Sequence, residues 1–144
     1  MKRRVTFYDI PPQQRWTKIH GFVEAALRRK KPLLIHCADP ATARELDEWL
    51  WTSRDDSFLP HEFVAPGKAL SDEEATVVIV AAEMNPHQAS VLVQEGPVRP
   101  EFAHTFEAVI DFVDHRSAEA LQASRQRYKT WRNEEGIALD YRKG

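Results

Sequence analysis

The sequence predicts an α/β fold, namely a three-layer α/β/α sandwich around a mixed, mostly parallel sheet. Two observations carry this prediction. Amphipathic helical segments alternate with short apolar strands in the first half of the chain, and the second half is rich in strands joined by short links. The length of 144 residues, with 42% apolar and 29% charged residues, is typical of one globular domain. We therefore expect residues 1–144 to form a single α/β domain.

The first half of the chain alternates strand and helix. A β-branched and aromatic run at 4–10, ended by two prolines, predicts the first strand. Residues 13–30 place apolar side chains three and four positions apart and carry cations in the last turn, which predicts an amphipathic helix. The apolar run 32–38 predicts a second strand. A second helix is expected over 39–53, where Asp39 stands at the capping position and a proline opens the first turn.

The second half of the chain contains four predicted strands and one helix. The strands are the short or continuous apolar runs 62–65, 75–82, 90–96 and 105–113. The helix is expected over 117–135, with Ser117 as its amino-terminal cap and a glycine after its last turn. Residues 137–144 either lie back on the body of the domain or fray.

Composition restricts the kind of protein. The formal net charge of -2 argues against a surface that binds polyanions as a whole, so any basic site must be local. Cys37 is the single cysteine, which excludes an internal disulfide and a multi-thiolate zinc site and fits a reducing compartment. The basic amino-terminal segment has too few apolar residues for a signal peptide or a membrane span. We expect a cytoplasmic protein.

The usual signatures of catalysis and cofactor binding are absent from the sequence. No P-loop and no GxGxxG occurs, so the predicted fold is Rossmann-like without a nucleotide-binding loop, and we expect no nucleotide binding by the usual route. The histidines lack metal-ligand spacing, so we expect no metal site. His36, Cys37 and Asp39 form the one stretch that could assemble a nucleophile. Adjacent strand residues point to opposite faces, however, and a buried structural cysteine is the favoured interpretation over a small enzyme.

An aromatic surface is predicted near the end of the second helix. At about 100° per residue, Trp51 lies roughly 130° from the centre of the apolar sector of this helix, so we expect it to be partly exposed. Phe58, Leu59 and Pro60 follow closely and would extend the same patch. Such a composition is typical of an interface anchor, although partial burial against the sheet is the alternative.

A basic surface is predicted on the last helix. Arg125, Lys129 and Arg132 are spaced four and three residues apart and therefore share one face, with Tyr128 among them. This pattern fits capture of an acidic peptide that ends in an apolar residue, because cations hold carboxylates while an aromatic pocket takes the side chain. A solvated charged face and direct binding of single-stranded nucleic acid through the phosphates remain alternatives.

Three segments carry a resemblance to a known family. "LDEWLWTSRDDSFLPH", "FEAVIDFV" and "SRQRYKTWR", in this order and at this separation, resemble the chi subunit of bacterial DNA polymerase III holoenzyme. The resemblance extends over nearly the whole chain. It implies a non-catalytic adaptor with an α/β fold and no cofactor, associated with the clamp loader.

The resemblance also implies two partners. One is the psi subunit, and the residues implied to dock to it are Trp51, Phe58, Leu59 and Pro60. The other is the acidic carboxyl-terminal tail of single-stranded DNA-binding protein, and the residues implied to bind it are Val113, Arg125, Tyr128, Lys129 and Arg132. Contact with DNA would then be indirect. A helicase-type partner on the aromatic patch, or a weak homodimer when the partner is absent, stays open.

Overall fold

The computed structural model describes residues 2–53 and 58–144. A 3-10 turn over Pro12–Gln14 precedes the first helix. In chain order the elements are β1 (Arg3–Asp9), α1 (Arg15–Arg29), β2 (Leu33–His36), α2 (Pro40–Thr52), β3 (Glu62–Val64), β4 (Val77–Val80), β5 (Val91–Gln94), α3 (Pro100–Ala103), β6 (Ala108–Phe112), α4 (Ala118–Arg132) and β7 (Ile137–Lys143).

The described strands form one seven-stranded sheet in the order β3-β4-β2-β5-β6-β1-β7. Every neighbouring pair is parallel, so the α/β class is confirmed but the prediction of a mixed sheet is wrong. The sequence predicted links in the second half that are too short for crossovers between parallel strands. In the structure these links are long enough to return the chain to the end of the sheet at which the strands begin. Residues 81–90 do so between β4 and β5, and the segment containing α3 does so between β5 and β6.

Two clusters of buried side chains lie on opposite faces of the sheet. Leu33 and Ile35 belong to a cluster that includes the buried faces of α1 and α2. Leu34, between them in β2, belongs to the other cluster together with Trp131 of α4. Since successive side chains of a strand alternate between faces, α1 and α2 cover one face and α4 the other, as expected for an α/β/α sandwich.

The predicted helix starts are confirmed by their capping bonds. The Asp39 carboxylate accepts a hydrogen bond from the Thr42 backbone N–H at 2.8 Å, and Pro40 opens the first turn of α2. The Ser117 hydroxyl oxygen accepts from the Ala120 N–H at 3.0 Å at the start of α4. These contacts satisfy donors that a helix start leaves without intrahelical partners.

Residues 137–144, which the sequence left open, contain a strand. β7 pairs with β1 along its whole length, from Arg3 opposite Ile137 to Asp9 opposite Lys143. It forms one edge of the sheet, and β3 forms the other. The short helix α3 was not predicted. Within the described residues, no helix is both long and apolar enough to cross a membrane.

Candidate protein-binding surfaces

A groove of about 310 Å³ lies between α4 and the end of β7. We call it the α4–β7 groove. Val113, Arg125, Tyr128, Lys129 and Arg132 all line it, so the structure brings together the five residues predicted for tail binding. The other lining residues are Asp9, His115, Ser124 and Tyr141.

The cations of the groove are available to a ligand. Arg125, Lys129 and Arg132 are exposed, and in the described part of the chain none of them forms a salt bridge. Arg127, on the inner side of the same helix, differs because it holds the buried Asp111 carboxylate through two hydrogen bonds of 2.8 and 3.1 Å. α4 therefore uses one arginine to attach to the sheet and presents three other cations outward.

Aromatic rings form the apolar part of the groove. Tyr128 is half-buried and packs edge-on against Phe7, with ring centroids 5.3 Å apart. Tyr141 of β7 also packs against Tyr128, in a second edge-on arrangement with ring centroids 6.3 Å apart. Val113 follows β6, where its N–H donates to the Tyr8 carbonyl at 3.0 Å. These contacts fix Tyr128 in a position where another ring or an apolar side chain can pack on it.

The groove also contains a hydrogen-bonded carboxylate. The Tyr141 hydroxyl donates to one oxygen of Asp9, and Nε2 of His115 lies 2.6 Å from the other. The bonds from Tyr141 and then from His115 lower the pKa of Asp9, while the bond to Asp9 raises the pKa of Tyr141. Asp9 is thus occupied by its own neighbours.

Sequence reasoning missed these three residues of the groove. The signal for Tyr141 was the alternation of Ile137, Leu139 and Tyr141, which is typical of a strand with one covered face. Asp9 and His115 carried no signal, because only the fold brings the ends of β1 and β6 together. Trp131, which the sequence places beside the basic stripe, is buried and stacks on His104 with ring centroids 4.7 Å apart.

A second surface, the Trp51–Phe58 patch, consists of Trp51, Phe58 and Pro60. Trp51 is 43% exposed and Phe58 79% exposed, and their ring centroids lie 6.1 Å apart. Trp51 also stacks on His61 at 4.2 Å. The ring nitrogens of His61 lie 2.6 Å from the Leu59 carbonyl oxygen and 3.0 Å from an Asp47 carboxylate oxygen, so His61 is a fixed support for the indole.

Leu59 does not belong to the exposed patch. Its side chain is only 6% exposed and packs in the cluster shared with α1 and α2. Phe58 and Pro60 point outward on either side of it, so the segment alternates between solvent and core. Leu59 therefore supports the patch from beneath, and the prediction that it extends the exposed surface of the patch is wrong. Residues 54–57 of the same sequence block lie outside the described residues.

The candidate nucleophile is buried in the sheet. Cys37 belongs to the cluster beneath α1 and α2, and burial raises the pKa of its thiol. His36 is directed elsewhere, with Nδ1 2.8 Å from the Gly96 carbonyl oxygen, and Asp39 caps α2. The three residues therefore do not face a common opening, and the geometry favours a structural role for Cys37.

Together these observations define a small α/β domain that presents two candidate protein-binding surfaces, one aromatic and one basic with an apolar floor. The chain belongs to the family described as DNA polymerase III chi subunit, HolC, whose model matches residues 1–139. The resemblance seen in the sequence is thereby confirmed.

Three curated relatives bear the name DNA polymerase III subunit chi. The protein from Pseudomonas aeruginosa is 33% identical over 139 residues, which cover 94% of this chain and 93% of that protein. The protein from Haemophilus influenzae is 33% identical over 105 residues, covering 73% of this chain and 71% of that protein. The protein from Escherichia coli is 32% identical over 106 residues, covering 73% and 69%.

Among solved structures, the chain is similar to S. cerevisiae Dbp5 bound to RNA and ADP BeF3. The superposition has a TM-score of 0.61 and covers 99% of this chain but 41% of that chain. The identity is 12%, so this likeness shows the fold alone.

Proposed function

We propose that the protein is a non-catalytic adaptor subunit of the DNA polymerase III holoenzyme, associated with the clamp loader. Its α4–β7 groove binds the acidic carboxyl-terminal tail of single-stranded DNA-binding protein, and its Trp51–Phe58 patch docks to the psi subunit. The observation that carries the proposal is the meeting of Val113, Tyr128 and the three outward cations of α4 in one groove. The names of the relatives support membership in the same assembly.

The groove suits a peptide with several carboxylates and an apolar end. Arg125, Lys129 and Arg132 can form charge-assisted hydrogen bonds with carboxylates without first breaking an internal salt bridge. Tyr128 can pack against a terminal ring, with Val113 completing the apolar floor. Since these charges are exposed to solvent, salt screens their attraction for the tail, and we expect affinity to fall steeply as ionic strength rises.

A weak tail contact is sufficient for an adaptor. Many tails project from DNA coated with single-stranded DNA-binding protein, so a released groove meets another tail at high local concentration. Weak individual contacts then keep the holoenzyme tethered while allowing exchange as synthesis advances. Contact with DNA is indirect in this mechanism.

The aromatic patch suits a partner that buries it permanently. Within the described residues the exposed large hydrophobic side chains are Trp51, Phe58 and Tyr141. Two of them form the patch and the third lines the groove, so exposed apolar surface is concentrated in the two proposed sites. Clustered aromatic side chains of this kind dominate the binding energy of many interfaces. Binding of psi would remove both rings from water.

The tail-binding proposal is tested by fluorescence anisotropy with a labelled acidic peptide ending in Pro-Phe. Wild type should bind saturably, and Lys129→Ala should bind at least about tenfold more weakly, as expected for loss of a charge-assisted contact. Arg28→Ala is the matched control, because Arg28 is an exposed cation at the end of α1. No binding by folded wild type, or equal weakening by both substitutions, would exclude the groove as a specific tail site.

The same titration with naked single-stranded DNA separates the alternative function. Direct nucleic-acid binding by α4 predicts tight DNA binding with a steep dependence on salt, and competition between DNA and the peptide. The tail-binding proposal predicts that the peptide binds far more tightly than DNA at physiological salt.

Docking to psi is tested by co-purification of the two proteins. Trp51→Ala and Phe58→Ala should each reduce recovery of psi, while Tyr141→Ala, which removes the exposed ring outside the patch, should leave it unchanged. Full recovery with both patch variants would refute the assignment. Size-exclusion chromatography of the protein alone shows whether the uncovered patch forms a homodimer, and a helicase-type partner can be tested with the same variants.

A further inference from the structure

The outer edge of β7 carries backbone groups without a strand partner. β7 is the last strand of the sheet, and no strand in the described ranges pairs with its outer side. At the inner side, the Arg3 N–H donates to the Gly136 carbonyl at 3.2 Å and the Gly144 N–H donates to the Asp9 carbonyl at 3.3 Å. The backbone N–H and C=O groups of the even-numbered residues of β7 therefore face β1. Because inward and outward groups alternate along a strand, the N–H and C=O groups that face outward belong to Ile137, Leu139, Tyr141 and Lys143.

The free edge is continuous with the α4–β7 groove. The Tyr141 side chain lines the groove, while its backbone N–H and C=O face outward at the edge. Ile137 and Leu139 direct their side chains to the same face, where they pack against the cluster that contains Tyr128. A ligand that lies along the groove is thus placed directly beside the unpaired backbone of β7.

The charges around this edge favour an acidic strand. Three outward cations of α4 flank it, and Lys143 lies at its end. The two acids along β7 and its neighbour β1 are already engaged, since Asp9 accepts two hydrogen bonds and Asp140 pairs with Arg142 at 2.8 Å. The opposite edge of the sheet offers no equivalent. β3 has three residues, and the Glu62 carboxylate there holds the backbone of a neighbouring loop at Ser71.

We propose that the acidic tail bound in the α4–β7 groove adds a strand to the free edge of β7, pairing its backbone with Leu139, Tyr141 and Lys143. This inference rests on the tail-binding function proposed above and specifies how the tail is held. In strand addition, main-chain hydrogen bonds supply affinity while side chains at alternate positions supply specificity. Tail residues that precede the terminal Pro-Phe then contribute to affinity through their backbone hydrogen bonds, whichever side chains they carry.

Backbone N-methylation of the peptide tests strand addition while leaving the protein unchanged. An acidic peptide ending in Pro-Phe is N-methylated at one upstream position at a time, and each version is titrated against the full chain. Methylation preserves every charge but removes one N–H. Every second position should lose about fivefold in affinity, as expected for one hydrogen bond, and intervening positions should change little.

A pair of variants tests the same contact from the protein. Tyr141→Ala and Tyr141→Pro both lose the ring and the hydrogen bond to Asp9, but only the proline lacks the outward N–H. Proline is tolerated at an edge where the N–H faces solvent, so the fold should survive, which a thermal melt checks. Tyr141→Pro should bind the peptide about fivefold more weakly than Tyr141→Ala. In wild type, saturating peptide should slow amide hydrogen exchange at Leu139, Tyr141 and Lys143.

The outcomes separate this inference from the function on which it rests. If the unmodified peptide binds and all methylated versions bind equally, strand addition is wrong and tail capture by side chains stands. If the unmodified peptide does not bind, both proposals fail. A dimer that persists when Trp51 and Phe58 are both replaced by Ala cannot form through the aromatic patch. If excess peptide does not disperse that dimer and it protects the amides of Leu139, Tyr141 and Lys143 from exchange, a second copy occupies the edge and the inference is overturned.

Discussion

Replacement by alanine should have different effects at two arginines of α4: Arg127→Ala should lower stability, and Arg125→Ala should weaken tail binding. Arg125 is exposed in the groove, whereas Arg127 is bonded through two nitrogens to Asp111, whose side chain is 1% exposed. Arg127→Ala leaves this buried carboxylate with only the 3.3 Å bond from the Gln94 side chain and the 2.7 Å bond from the Phe112 N–H. Arg125→Ala removes a solvated charge.

The expected magnitudes follow from burial. Breaking a buried ion pair by removing one partner costs about 3 kcal/mol or more, since the remaining charge is left without compensation. For a chain of this size that corresponds to a melting temperature roughly 10 °C lower. Arg125→Ala should change the free energy of unfolding by less than about 0.5 kcal/mol, as for most surface substitutions. Its effect should appear in tail binding instead.

The assay is thermal and urea unfolding of both variants, followed by peptide titration well below the lower melting temperature. The double replacement of Arg127 by Met and Asp111 by Leu is the control. It removes both charges, so it should be more stable than Arg127→Ala, but it should remain below wild type because the Gln94 side chain and the Phe112 N–H lose their acceptor. The reasoning would be refuted if Arg127→Ala melted within about 2 °C of wild type, or if Arg125→Ala proved the less stable of the two.

Three further predictions concern stability and reactivity. A Cβ at Gly96 would clash with the Ala38 backbone nitrogen, so Gly96→Ala should destabilise the protein by about 2 kcal/mol or more in urea unfolding. Burial works to raise the pKa of Asp114, but hydrogen bonds from Arg116 and nearby positive charges lower it to about 2. The stability that the Asp114 carboxylate gives the folded protein should therefore be fully present above its ordinary pKa of 3.8 and be lost as pH falls through 2. Near pH 2, wild type and Asp114→Asn should therefore have similar free energies of unfolding. Cys37 is buried and its thiol pKa is raised, so a thiol reagent should modify it only as fast as the protein opens.

Local sequence patterns predicted the parts of the fold that depend on local structure. The capped starts of α2 and α4 followed from Asp39 and Ser117, and the shared face of Arg125, Tyr128 and Lys129 followed from helical spacing. The exposure of Trp51 followed in the same way from its angle on α2. Each of these features is decided within a few turns of one helix, so no knowledge of the sheet was needed.

The errors concern pairings between distant segments. The direction of a strand depends on the end of the sheet to which the preceding link returns the chain. The composition of the link does not determine this, so the parallel sheet was predicted as mixed. The charged residues of β7 concealed a strand that only pairing with β1 stabilises. Leu59 was grouped with Phe58 by proximity in sequence, although the segment alternates and turns Leu59 into the core. The part of the groove formed by Asp9, His115 and Tyr141 was missed for the same reason.

The sheet order places the two proposed surfaces far apart. The Trp51–Phe58 patch follows α2 and adjoins β3, whereas the α4–β7 groove lies at β7, so the surfaces are near opposite edges of the seven-stranded sheet. With neighbouring strands about 4.8 Å apart, six spacings separate the edges by roughly 29 Å. Sites at such a distance with no shared contacts behave almost independently, so occupation of one surface should leave affinity at the other nearly unchanged. An adaptor needs this property, because it must hold the tail of one protein without loosening its grip on the assembly to which it belongs.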